Sequence, residues 1–258
     1  MRVVSLTCSN TEIICALGLQ DMLVGTDDHS DYPKDVVDVL PRVGPDLQID
    51  LDAVEALQPD LVLASLTVPG HEQIVEGIEA RGLPFLAPEP TSLDHLFRDI
   101  RDIADAVGHS KRGVELADDL RRRLPEQPLE GPGTRVLVEW WPKPVIAPGR
   151  HSWVTVLLTL AGGVNPLGNE DHKSRPVTDA EVVQMDPEAV VISWCGVPTH
   201  RYRVDVVEKR EAWASTTALR HGQIYPVPES FLGRPGPRLV DGFEALRSVV
   251  LGAAAAVR

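Results

Sequence analysis

The sequence predicts an α/β protein of two similar α/β lobes with mainly parallel sheets, bridged by a long helix. Three observations carry this. QPDLVLAS (58–65) and DPEAVVIS (186–193) each place a proline and an acid ahead of a short apolar run, and each follows a helical pattern, LDAVEAL or DAEVVQM. Strand and helix patterns alternate over residues 1–91. Residues 92–124 then have helical spacing only, after which the strand pattern restarts.

The elements follow in order. RVVSL (2–6) reads as a strand, and SNTEIICALG as a helix with a Ser or Asn N-cap, ending at Gly18. MLVGT is a second strand, LDAVEAL a helix and DLVLAS a third strand. HEQIVEGIEARG is a helix closed by Gly82, and PFLAP a fourth strand. Residues 1–91 are thus an N-terminal α/β lobe. In 92–124, Leu93, Leu96, Ile100, Ile103, Val107, Val114, Leu116 and Leu120 keep helical spacing behind a Thr91 or Ser92 N-cap. Gly108 interrupts them, so this bridging segment is expected as one long broken helix or two helices in line. PEQPLEGPGT (125–134) holds three prolines and two glycines and reads as a linker. Residues 135–258 form the C-terminal lobe: RVLVE echoes RVVSL, VTVLLTLAGG echoes the helix ending ALG, and NPLGNEDHKSRP loosely echoes VGTDDHSDYP.

Composition narrows the function classes. A formal charge of −13 and a pI near 5.0 exclude the clustered basic surface that nucleic acid or an anionic membrane needs. No run of 18 apolar residues predicts a membrane span. MRVVSL already reads as a strand, with no signal-peptide pattern, so the chain as it stands predicts a cytoplasmic protein. A start farther upstream would make it periplasmic or cell-surface. Cys8, Cys15 and Cys195 are odd in number and lack CxxC spacing, so no disulfide framework or zinc site is expected. Cys8 and Cys15 read as packing residues.

A two-lobed α/β protein places its ligand in the cleft between lobes, at the loops that follow the strands. In the first lobe these are TCSN (7–10), DDHSDYP (27–33) and LTVPGH (66–71). In the second they are WWPKPVIAPGRHSW (140–153), GNEDHKSRP (168–176), WCGVPTHRYR (194–203) and PESFLGRPGPR (228–238). Trp140, Trp141, Trp153 and Trp194 lie in or beside the second set, and indole rings suit large planar ligands. Trp140 and Trp213 read as core roofing instead.

RVVSLTCSNTEIICALG, VGTDDHSDYP, LDAVEALQPDLVLAS, LAGGVNPLG, DPEAVVISWCG and RPGPRLVDGFEAL together resemble the class III substrate-binding proteins of ABC importers. Within that family the cobalamin-binding branch is most similar, over Arg2 to about Leu246. The resemblance implies two lobes joined by a rigid helix, a ligand held between them, no required cofactor and no catalysis. It implies cobalamin or another corrinoid as ligand and an ABC permease as partner. Carried over by position, it places Tyr32 and Pro33 on the cleft wall and Trp194 opposite, with Phe231 and Arg234 at the rim. Leu66 stands in the loop where the cobalamin receptors present a Trp. Glu72, opening a lobe-one helix, matches a transporter-docking carboxylate. Haem or an iron–siderophore is the alternative ligand.

The residues suit recognition. Trp141, Trp153, Trp194 and Phe231 offer aromatic faces. Asp27, Asp28 and Asp31 make one side acidic, while Arg150, Arg201, Arg203, Arg234 and Arg238 make the other basic. His29, His151, His172 and His200 occur once per loop without HExxH spacing, so no metal site of the protein alone is expected. His151 is the candidate axial ligand to a bound corrinoid or haem. A two-lobed tetrapyrrole chelatase would need a His–Glu pair, for which His200 or His151 with Glu170 are the candidates. GxSxG and GxGxxG patterns are absent.

Overall fold

The computed structural model describes residues 1–257. The chain divides into two compact units, Met1–Arg121 and Arg122–Arg258. The first contains β1 (Val3–Ser5), α1 (Cys8–Ala16), β2 (Leu23–Thr26), α2 (Lys34–Val37), α3 (Leu51–Ala56), β3 (Leu61–Leu63), α4 (His71–Ala80), β4 (Phe85–Leu86), α5 (Leu93–Ala106) and α6 (Ser110–Arg122). Its sheet runs β2-β1-β3-β4, every pair parallel. Val4, Val62, Val54 and Ile78 pack its core, because the strands are apolar on both faces and each helix turns one stripe inward.

The second unit contains β5 (Thr134–Glu139), β6 (Trp141–Pro142), β7 (Val145–Pro148), α7 (Trp153–Leu160), β8 (Gly163–Val164), β9 (Ser174–Val177), α8 (Asp179–Met185), β10 (Ala189–Ile192), α9 (Val204–Glu208), α10 (Thr217–Arg220), β11 (Ile224–Pro226), α11 (Glu229–Leu232) and α12 (Leu239–Val257). Its parallel sheet has the order β11-β10-β5-β8, the first unit's order with β5 in the place of β1. The duplication reaches single hydrogen bonds. Arg2 N donates to Asp60 (2.7 Å) as Arg135 N donates to Glu188 (2.9 Å). Arg2 Nε reaches Gln58 O (3.2 Å) as Arg135 Nε reaches Asp186 O (2.9 Å). The residue before each proline, Gln58 or Asp186, has positive φ (47° and 41°). The acid after the proline accepts the amide of an arginine at the start of the neighbouring strand, and that arginine's side chain covers carbonyls freed where the helix stops.

Three expectations are corrected. The loop 140–153 contains an antiparallel hairpin: β6 pairs with β7, and β7 with β9, which overlaps the expected loop 168–176. Val145 and Ala147 face the core, and the surrounding prolines sit in short strands where a missing donor is tolerated. The helices of 92–124 do not run in line. Asp94 and Arg121 would stand about 40 Å apart on one straight helix, yet Arg121 Nη2 lies 2.6 Å from Asp94 Oδ1. Arg101 pairs with Asp118 (3.2 Å), and Arg121 lies over the Phe97 ring. Gly108, in the left-handed conformation (φ 78°), reverses the chain, and α5 and α6 form a hairpin. Gly113 makes the close approach possible: a Cβ there would sit 2.5 Å from the Ala104 Cβ. The α1 N-cap is Thr7 rather than Ser9 or Asn10. Ser92 caps α5 by accepting from His95 N, as expected.

Candidate ligand-binding site

In the first unit, the loops after β1, β2 and β3 are pinned by one buried polar network. Asp27, fully buried, accepts from Ser30 Oγ (2.5 Å) and His29 N (2.9 Å). Thr11 Oγ1 lies within 3.0 Å of the hydroxyls of Ser5, Thr26 and Ser30. Asn10 Nδ2 donates to Ala64 O (2.6 Å), tying α1 to the loop after β3. Arg42 donates to the carbonyls of Asp27, Ser30 and Val37 and closes the β2 loop. Burial pushes the Asp27 carboxyl above its ordinary range, against the lowering by Ser30 and the His29 amide.

This network presents Tyr32, 48% exposed, and Pro33, which caps α2. Leu66 is half-buried, its amide bonded to Pro88 O (3.0 Å). Gly70, at φ 104°, turns the chain into α4. Glu72 is exposed and accepts from Gly70 N (2.8 Å), a capping contact at its own helix start. A second cluster joins two loops: Asp46 stands 3.8 Å from His29 Nε2 and 3.7 Å from His71 Nε2, and His71 is 4% exposed. His71 Nδ1 accepts from Val68 N (3.4 Å), which puts the neutral ring's proton on Nε2, facing Asp46. The His71 imidazole, then the charge of His29, holds the Asp46 carboxyl below the ordinary carboxylate range against the opposing effect of burial.

In the second unit a carboxylate is the hub. Glu139, fully buried at the end of β5, accepts from Trp194 Nε1 (2.8 Å) and from both Nη atoms of Arg210 (2.5 and 2.9 Å). Tyr202 Oη donates to Trp194 O (3.2 Å) and accepts from Glu229 N (3.1 Å). Burial pushes the Tyr202 phenol above its ordinary range.

The aromatic faces differ from expectation. Trp194 and Trp153 are 5% and 7% exposed: their rings are core, with Trp153 Nε1 bonded to Leu232 O (2.7 Å). They back a wall rather than present it. Trp141, on the short strand β6, is 44% exposed, and Phe231 is half-buried beneath the Arg238 guanidinium. Trp213 is fully buried and Trp140 half-buried, tilted against Trp153 with ring centroids 6.2 Å apart.

The expected basic side is largely neutralised by its own acids. Arg150 pairs with Asp171 (2.6 Å), Arg203 with Asp205 (2.7 Å) and Arg234 with Glu229 (2.9 Å). His151 Nε2 lies 2.5 Å from Asp171, not Glu170, so that nitrogen must leave the carboxylate before it can ligate a metal. Glu170 is gripped by Arg175 through both oxygens and His200 is exposed, so neither forms the His–Glu pair of a chelatase. Among the described residues no group of three His, Cys, Asp or Glu can hold a metal ion. Two surface grooves of about 310 and 410 Å³, lined by Pro166–Met185 and Glu208–Leu219 side chains, contain none of the expected ligand-facing residues. Sequence reasoning missed Glu139, Arg210, Arg42 and Asp46. A glutamate closing the apolar run RVLV was the available signal, since a buried Glu demands a partner.

Residues 3–230 match the family described as periplasmic binding protein. The chain belongs to that family, the periplasmic binding proteins of ABC transporters. It is 28% identical over 254 residues to the uncharacterized ABC transporter substrate-binding lipoprotein YvrC of Bacillus subtilis, spanning 95% of this chain and 78% of that one. It is 26% identical over 248 residues to the vitamin B12-binding protein of Vibrio cholerae, spanning 94% and 86%. Among solved structures, the periplasmic heme-binding protein RhuT from Roseiflexus sp. RS-1 superposes with a TM-score of 0.76 at 28% identity, covering 100% of this chain and 99% of that one. The vitamin B12-binding protein BtuF of Vibrio cholerae superposes with a TM-score of 0.78 at 24% identity, covering 98% and 97%, a likeness of fold. No helix among the described residues is long and apolar enough to cross a membrane.

Proposed function

We propose that the chain is a non-catalytic capture protein for a corrinoid ligand of the cobalamin type, bound at strand-end loops and delivered to an ABC permease. The observation that carries this is the buried hydrogen bonding behind those loops: in the first unit Asp27 holds the β2 loop through Ser30 Oγ and His29 N while Thr11 links it to Ser5, and in the second unit Glu139 links the end of β5 to Trp194 and Arg210. A surface organised before the ligand arrives suits binding of a large stiff macrocycle, because little ordering remains to be done on association. The candidate ligand-facing groups are Tyr32, Pro33 and Leu66 in the first unit, and Trp141, His151, Phe231 and Arg234 in the second. Trp153 and Trp194 support that wall from behind, and Glu72 is the candidate docking carboxylate. The vitamin B12-binding relative favours the corrinoid.

Haem is the second reading. It is favoured by the 28% identity to the heme-binding RhuT and by the exposed imidazole of His151. A thermal-shift series decides between them: ligand at a hundredfold excess over its Kd stabilises by about 2.7 kcal/mol, enough to move the melting temperature by several degrees. A shift with cyanocobalamin alone supports the corrinoid; a shift with haemin or a ferric hydroxamate alone retains capture and changes the ligand. No shift with any of them contradicts the proposal.

A further inference from the structure

We infer that Glu139 is a positioning residue that fastens the second unit's ligand-facing loops into one preset surface. The inference rests on the capture reading and adds the group that makes this wall rigid. One carboxylate accepts three hydrogen bonds from two elements: the Trp194 indole, in the loop after β10, and the Arg210 guanidinium beyond α9. Arg210 continues to Pro142 O (3.3 Å) in the β6–β7 hairpin and lies 4.3 Å over the Trp213 ring. Trp194 O continues through Tyr202 Oη to Glu229 N, at the start of α11 beyond β11. The Glu139 side chain thereby joins the end of β5 to the loop after β10 and to Arg210, and the end of β11 is reached from Trp194 O through the Tyr202 hydroxyl.

The fold itself does not require this charge. In the duplicated strand of the first unit, RVVSL against RVLVE, the corresponding position is Leu6, 2% exposed. An apolar residue therefore satisfies the same sheet position. A buried ion pair adds little to stability compared with apolar residues of like volume, whereas fixing one arrangement of loops is a task such pairs can perform.

The test separates positioning from stability. In the double variant E139L/R210M, which removes both charges together, the amides of Cys195, Val197 and Glu229 are expected to exchange about tenfold faster or more, while Val190 and Val191 inside the sheet keep wild-type protection. Equal acceleration at both sets of amides would mean a purely structural role, and no acceleration at the loop amides would mean no role; either overturns the inference. Should the double variant fail to fold, R210K carries the comparison: an ammonium cannot span both Glu139 oxygens and Pro142 O, and unchanged loop protection overturns the inference. The same variants are titrated with cyanocobalamin, haemin and a ferric hydroxamate. Weakening by about tenfold in E139L/R210M supports positioning, and unchanged affinity overturns it. A wild type that binds none of the three contradicts the capture reading, and the exchange comparison then decides the inference alone.

Discussion

Replacing Arg42 with Met keeps the apolar stem and removes the guanidinium that holds the loop bearing Tyr32. That group donates to the carbonyls of Asp27 (2.7 Å), Ser30 (2.8 Å) and Val37 (2.9 Å), so it clamps the loop at its start, its middle and the end of α2. Hydrogen bonds from a charged donor contribute about 1.5–3 kcal/mol each when buried. Arg42 is exposed, and water can replace part of each bond, so the expected loss for the three together is about 2 kcal/mol. For a unit of this size that lowers the melting temperature by roughly 5–10 °C. The assay is hydrogen exchange read beside thermal unfolding: the amides of Asp28, Val36 and Val37, bonded to Gly44 O, Pro33 O and Pro33 O, should lose protection before those of Val4 and Val62 in the sheet. Wild-type protection at Val36 and Val37 in R42M would refute the idea that Arg42 preorganises this loop.

Three further outcomes are expected. Trp194→Ala should lower the second unit's stability by about 3–5 kcal/mol, as for a buried aromatic, and expose the Glu139 carboxylate; a ligand-affinity loss with unchanged urea midpoint would instead put the ring on an open face. Asp46→Asn should lower stability at neutral pH, and the difference from wild type should vanish in acid. The folded carboxyl titrates below its unfolded value, so its contribution is present above about pH 4 and is lost as pH falls through the folded pKa; a gap between the two melting curves that does not narrow at all as the pH is lowered from about 5 to about 2 would contradict this. Gly113→Val should destabilise the α5–α6 hairpin by about 1–3 kcal/mol through overpacking against Ala104, read from the guanidinium unfolding midpoint; a stabilised variant would mean that the two helices do not pack closely.

Much of the fold was legible because the chain states it twice. The helix–proline–strand pieces ending at Leu63 and Ile192 carry the same punctuation, and that punctuation has a physical basis in the Arg2–Asp60 and Arg135–Glu188 contacts. The α5–α6 reversal was not legible, because apolar spacing reports which face of a helix is buried and says nothing about its direction after a glycine. The β6–β7–β9 sheet was hidden because Pro142, Pro144, Pro148 and Pro176 interrupt the alternation that marks a strand. Loop position identified Trp141 as an exposed ring but could not distinguish it from Trp194. Which way an indole turns depends on whether its N–H finds a buried acceptor, and Glu139 supplies one only after β5 and β10 pair.

Calorimetric titration of the purified protein with cyanocobalamin, beside haemin and a ferric hydroxamate siderophore, tests the central claim most directly. The account predicts saturable one-to-one binding of cyanocobalamin at a Kd of about 1 μM or tighter, near 8 kcal/mol of binding free energy, with no heat from the siderophore. Absence of cyanocobalamin binding under conditions where haemin saturates the protein would contradict the corrinoid assignment, and absence of binding by all three would contradict capture itself.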